Sequence, residues 1–83
     1  MNREEIVKDL QEIFRNLFDD EELVIFDEMT SADIEDWDSL IHINLVSDIE
    51  LKFNITFTTE EILETKNVGE FIDIIEKKVN GGV

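Results

Sequence analysis

The residues able to do chemistry crowd into Asp36-Trp37-Asp38-Ser39-Leu40, with His42, the only histidine, just beyond. A serine hydroxyl in such a stretch can act as a nucleophile, cap a helix or accept a covalent group. Nucleophilic catalysis is the weakest of the three. Ser39 and His42 are i,i+3 neighbours on one helix, a poor geometry for a triad, and no oxyanion-hole sequence accompanies them. His42 is therefore read as a solvated surface histidine, and no residue is assigned as catalytic. Acidic residues are numerous enough for a paired-carboxylate site, but so small a core leaves little room for a cleft that excludes water. Calcium is tested by Asp33, Glu35, Asp36 and Asp38. An EF-hand loop starting at Asp33 puts Trp37 at the fifth position, Asp38 in place of glycine at the sixth and Asn44 in place of glutamate at the twelfth, so no metal site is assigned.

The 83 residues, 42% of them hydrophobic, are enough for one small core and are read as a single domain spanning 1–83. The absence of cysteine excludes disulfides, thiolate metal sites and a cysteine nucleophile. The opening Met1-Asn2-Arg3-Glu4-Glu5 lacks the layout of a signal peptide, and no apolar run reaches the length of a membrane span, so a cytoplasmic protein is expected. Twenty-two acidic against seven basic residues give a formal net charge of −15. That charge opposes binding to nucleic acid or an anionic membrane surface and favours basic partners.

The elements that must position the serine are helical. Ile6, Val7, Leu10, Ile13, Phe14, Leu17 and Phe18 form one wide apolar stripe, Asn2 and Glu5 suit a cap with a returning carboxylate, and Glu4 with Lys8 suits an i,i+4 pair. Carboxylates at 19–22 end this helix near Phe18. Residues 19–37 lack helical periodicity and are read as a long loop, including the strand-like Leu23-Val24-Ile25-Phe26, with Ile34 and Trp37 plugging the core. A second helix runs from about Ser39 to Phe53, capped by Asp38 or Ser39, with Leu40, Ile43, Val46, Ile49 and Phe53 on its core stripe and Leu45 widening it. Ile41 and Leu51 fall off that stripe and are expected to mark a contact surface. Asn54-Ile55-Thr56-Phe57 is read as loop. Thr58 to Glu61 is a capping box opening a short helix to about Thr65. Asn67 with Glu70 repeats the pattern before a last helix carrying Val68, Phe71, Ile72, Ile75 and Val79, with Lys77 and Lys78 near its end and Gly81-Gly82 stopping it. The fold expected is all-α: a four-helix bundle of three main helices and one short one.

Nearly the whole chain resembles the acyl carrier protein family, which includes peptidyl, polyketide and D-alanyl carrier domains. The resemblance centres on Trp37-Asp38-Ser39-Leu40, followed by Ile49-Glu50 and Phe53, with matching loop and helix lengths on both sides. It implies that Ser39 receives 4′-phosphopantetheine from coenzyme A, by attack of its hydroxyl oxygen on the β-phosphate in a magnesium-dependent phosphopantetheinyl transferase. The arm's thiol would then carry acyl or aminoacyl groups as thioesters, so the protein would shuttle cargo rather than catalyse. Further implied partners are an acyl- or aminoacyl-activating ligase and a downstream transferase or condensing enzyme, met by a monomeric carrier. Asp38, Leu40, Ile41, Asn44, Asp48, Glu50 and Leu51 are assigned to transferase and partner recognition, with Leu40 also anchoring the helix.

Several positions depart from the pattern of many fatty-acid-synthesis carriers, which have glycine two residues before the motif's Asp and acidic residues along the second helix. Here Asp36, Asn44 and Leu51 occupy those places, with Ile41 just after the motif and Ser47 on the exposed side. The departures suggest a dedicated pathway with an adenylating ligase, and Trp37 resembles specialised and amino-acid carriers. The competing reading is an acidic helical interaction module of the same fold that is never modified, in which Ser39 is only a cap.

Overall fold

The computed structural model describes residues 1–81, which form four helices: α1 (Arg3–Leu17), α2 (Ser39–Phe53), α3 (Thr59–Glu64) and α4 (Val68–Val79). The described residues contain no strand, so Leu23–Phe26 and Asn54–Phe57 are loop as expected. Asn2 closes the expected capping box on α1, its Oδ1 accepting from the Glu5 amide at 2.9 Å while Glu5 Oε1 accepts from the Asn2 amide at 3.2 Å. Thr58 and Glu61 do the same for α3, at 3.1 and 2.8 Å. Asn67 caps α4 by accepting from the Glu70 amide at 2.9 Å, but the reciprocal Glu70 bond is not made. After Asn80 the chain turns through Gly81 at φ +88°, a left-handed conformation that suits glycine. Gly82, the other half of the expected stop, lies outside the described residues.

One hydrophobic cluster joins the elements. Helix α1 contributes Ile6, Leu10, Ile13 and Phe14, α2 contributes Leu45, Val46, Ile49 and Phe53, and α4 contributes Val68, Phe71, Ile72 and Ile75. Helix α3 buries no residue fully. Its Ile62 packs against the cluster, and Glu61 pairs with Lys78 of α4 at 3.1 Å. Donation from the Thr58 amide, with Lys78 adding to it, holds the Glu61 carboxyl below the usual range.

The loop from α1 to α2 is tied down at many points, as its length requires. It carries one 3-10 turn, Ser31–Asp33, capped by Thr30. Ile25, Met29 and Trp37 are buried and Ile34 is half-buried, so the expected plugs are present. The Ile25 amide donates to Gln11 Oε1 and Arg15 Nε donates to the Leu23 carbonyl, fastening the loop to α1. The carbonyls of Met29 and Asp27 accept from the free amides of Val68 and Gly69 at 2.9 and 2.8 Å, fastening it to α4. A Cβ on Gly69 would stand 3.0 Å from the Asp27 carbonyl oxygen, so this close approach needs glycine. Arg3 completes the junction, 2.8 Å from Asp73 and 3.5 Å from both Asp27 and Glu76. The ion pairs of the described residues run through Arg3 and Lys78, and Glu4–Lys8 is not among them.

The core face of α2 differs from the one read in the sequence. Leu40 and Ile43 are 68% and 61% exposed, while Ile41 packs against the core in the row Ile41, Leu45, Ile49, Phe53. Both rows are apolar, so periodicity does not choose between them. The choice is made where α2 lands on α1 with Trp37 seated beneath its first turn.

Candidate functional site

Asp38 is the N-cap of α2. Its backbone is extended and its Oδ1 accepts from the Ile41 amide at 2.9 Å. Ser39 is therefore the first helical residue and not the cap, which settles on Asp38 the cap that the sequence left between the two residues. The Ser39 side chain is exposed and hydrogen-bonds to none of the described residues. The backbone amides of Ser39 and Leu40 also find no acceptor there, as expected for the first turn of a helix. An unencumbered hydroxyl beside two free N–H groups and the positive end of a helix fits a phosphoester linkage, so the residues present suit the group that the sequence implies.

Trp37 and His42 frame the serine from below. The indole Nε1 donates to His42 Nδ1 at 3.1 Å, and the two rings lie nearly coplanar, edge to edge, with centroids 6.0 Å apart and 20° between their planes. Trp37 is also edge-on to Phe14 at 5.4 Å, and His42 is tilted against Phe71 at 5.6 Å, so the pair bridges α1 and α4 under the start of α2. His42 is thus half-buried rather than a solvated surface residue, and burial lowers its pKa below the ordinary 6.5. The missed signal is positional: Trp37 precedes the cap and His42 is the fourth helical residue, the two places joined by a hydrophobic staple.

A cavity of about 530 Å³ opens beside Ser39, lined by Ser31, Trp37, Asp38, Ser39, His42, Ile43, Ile62 and Leu63. It lies between the start of α2 and α3, whose Leu63 is 76% exposed. An equally large cavity between α3 and α4 is lined by Glu61, Glu64, Glu70, Asp73, Lys77 and Lys78 among others, away from the serine. Among the described residues no group of three or more His, Asp or Glu side chains is placed to hold a metal ion.

The residues expected to meet partners fall into two sets. Asp38, Leu40, Asn44, Asp48 and Leu51 are exposed, Leu51 at 83%. Leu40 does not anchor the helix to the core; its exposure makes it part of the surface around the serine. Ile41 and Glu50 are partly buried. Ile41 packs inward, and Glu50 Oε2 accepts from the Phe57 amide at 2.8 Å, holding the loop after α2. Sequence reasoning missed Ile43 as a surface residue for the same reason that it misplaced Ile41.

No helix of the described residues is long and apolar enough to cross a membrane. No family model matches the chain, and no curated protein matches it either. Among solved structures, it is similar to a holo acyl carrier protein from Geobacter metallireducens, determined by solution NMR. That protein is 39% identical, with 89% of this chain and 85% of that one covered and a TM-score of 0.84. It is also similar to an acyl carrier protein from Thermotoga maritima, at 26% identity, with 100% and 96% covered and a TM-score of 0.82. Identity and coverage of this order, joined to a shared helical architecture, mean that the chain belongs to the acyl carrier protein family.

Proposed function

We propose that this carrier protein holds acyl or aminoacyl intermediates as thioesters on a 4′-phosphopantetheine arm joined to Ser39, and delivers them to partner enzymes. The observation that carries the proposal is the Ser39 hydroxyl, exposed at the start of α2 and freed from capping by Asp38. Were Ser39 only a cap, as in an unmodified interaction module, its hydroxyl would be turned into the first turn. The arm contributes a thiol for thioester formation, which this cysteine-free chain lacks.

The chain's own residues do the positioning. Asp38 orders the first turn so that Ser39 is held at one place, and the Trp37–His42 pair supports that turn from beneath. Leu40, Asn44, Asp48 and Leu51 offer a mixed apolar and polar face to a phosphopantetheinyl transferase, an activating ligase and a downstream transferase or condensing enzyme. The net charge of −15 steers the carrier, acting as a cytoplasmic monomer, toward basic patches and raises association rate more than affinity, which suits rapid turnover. Intact mass after incubation with a broad-specificity transferase, magnesium and coenzyme A tests the proposal. A gain of one phosphopantetheine, abolished by Ser39→Ala, is the expected result. No gain, or a gain that survives Ser39→Ala, would overturn it.

A further inference from the structure

The Trp37–His42 bond decides what His42 offers to the space around it. An indole N–H only donates, so Nδ1 must accept, and the neutral ring carries its proton on Nε2. Nε2 has no partner among the described residues. No buried side-chain nitrogen or oxygen there lacks a partner, so Nε2 reaches solvent as an unused donor. The openings that His42 lines are the cavity beside Ser39 and a smaller one of about 260 Å³, lined by Ser31, Trp37, His42, Thr65, Lys66 and Phe71. Ser31, Trp37 and His42 line both.

The smaller cavity is rich in donors. Besides His42, with its free Nε2–H, the residues lining it include Ser31, which carries a hydroxyl, and Lys66, whose ammonium forms no ion pair among the described residues. The Thr65 hydroxyl is already committed to the Glu61 carbonyl. Phe71 and Trp37 supply apolar walls. The charged groups that share the two cavities with His42 are Asp38, at the serine end and engaged in capping, and Lys66, at the far end. An acceptor-rich group is complementary to such a lining, and a carboxylate most of all, because it gains charge-assisted bonds from a cation and a fixed imidazole donor.

Resting on the carrier reading of Ser39, we propose that this cavity is a cargo subsite selecting short acyl groups that end in a carboxylate. Lys66 and His42 are its specificity-determining residues, and Trp37 is a positioning residue that sets the imidazole tautomer. In a chain of net charge −15 an anionic terminus is repelled elsewhere, so the Lys66 end of this cavity discriminates by place as well as by charge.

The test loads the protein from succinyl- and from butyryl-coenzyme A with a broad-specificity transferase and compares amide and histidine NMR spectra. The succinyl form is expected to differ from the butyryl form at Ser31, Thr65 and Lys66, and to raise the His42 pKa through the nearby anion. Lys66→Gln, at an exposed position, should remove both differences while loading proceeds normally. Successful loading with the same spectra for both cargoes, or differences that persist in Lys66→Gln, would overturn the subsite and leave the carrier reading intact. Failure to load at Ser39 would overturn both.

Discussion

Replacing Asp38 and Ser39 in turn separates cap from attachment site. Asp38 supplies the side-chain cap of α2, through its 2.9 Å bond to the Ile41 amide, while the Ser39 hydroxyl makes no bond among the described residues. Asp38→Ala should therefore cost about 1 kcal/mol for the lost cap. A further ~0.5 kcal/mol goes with the negative charge at the positive end of the helix. One of 22 carboxylates is also removed, which relieves self-repulsion and works the other way. Asp38→Asn controls for that, because asparagine loses the same charge and keeps an accepting oxygen, so the difference between the Ala and Asn variants isolates the cap bond. For a chain of this size a loss of about 1 kcal/mol lowers Tm by roughly 4–8 °C. Ser39→Ala should leave Tm within a degree or two, with alanine's slightly better helix propensity offsetting any small loss. Thermal unfolding followed by circular dichroism at physiological salt reads all three. A fall in Tm for Ser39→Ala as large as that for Asp38→Ala would refute the assignment of the cap, and with it the case for a free serine hydroxyl.

Two further outcomes are expected. Because burial lowers the His42 pKa, the neutral ring contributes stability that is complete above pH 6.5 and is lost as pH falls through the depressed folded value. NMR titration of the ring should give a midpoint below 6.5, and a midpoint at or above that value would contradict the half-buried, Trp37-bonded histidine. Leu51→Asp should slow delivery to a partner enzyme while leaving Tm nearly unchanged, since Leu51 is 83% exposed, whereas Ile41→Asp should lower Tm by placing a charge against the core. Equal Tm values for the two variants would show that the core face of α2 is wrongly drawn.

Much of this molecule is written locally. The boundaries of α1 and α3 follow from Asn2 with Glu5 and Thr58 with Glu61, because a capping box needs only residues three apart. The core faces of α1 and α4 follow from apolar residues confined to one stripe, and the motif at 37–40 marks the serine. What sequence did not contain was the rotation of α2. Leu40, Ile41, Ile43, Leu45 and Val46 leave its first turns apolar on several sides, so either face satisfies the helical period. Only docking on α1 turned Ile41 inward and left Leu40 and Ile43 at the surface beside Ser39. His42 is the same case. As a lone histidine after a serine it has no determinate role, and its half-burial, its tautomer and its place between Trp37 and Phe71 arise from three elements meeting. Short-range spacing determined where the helices start and which serine they present; long-range packing decided which surface surrounds that serine, because the rotation of a helix with apolar residues on several sides is set by its neighbours.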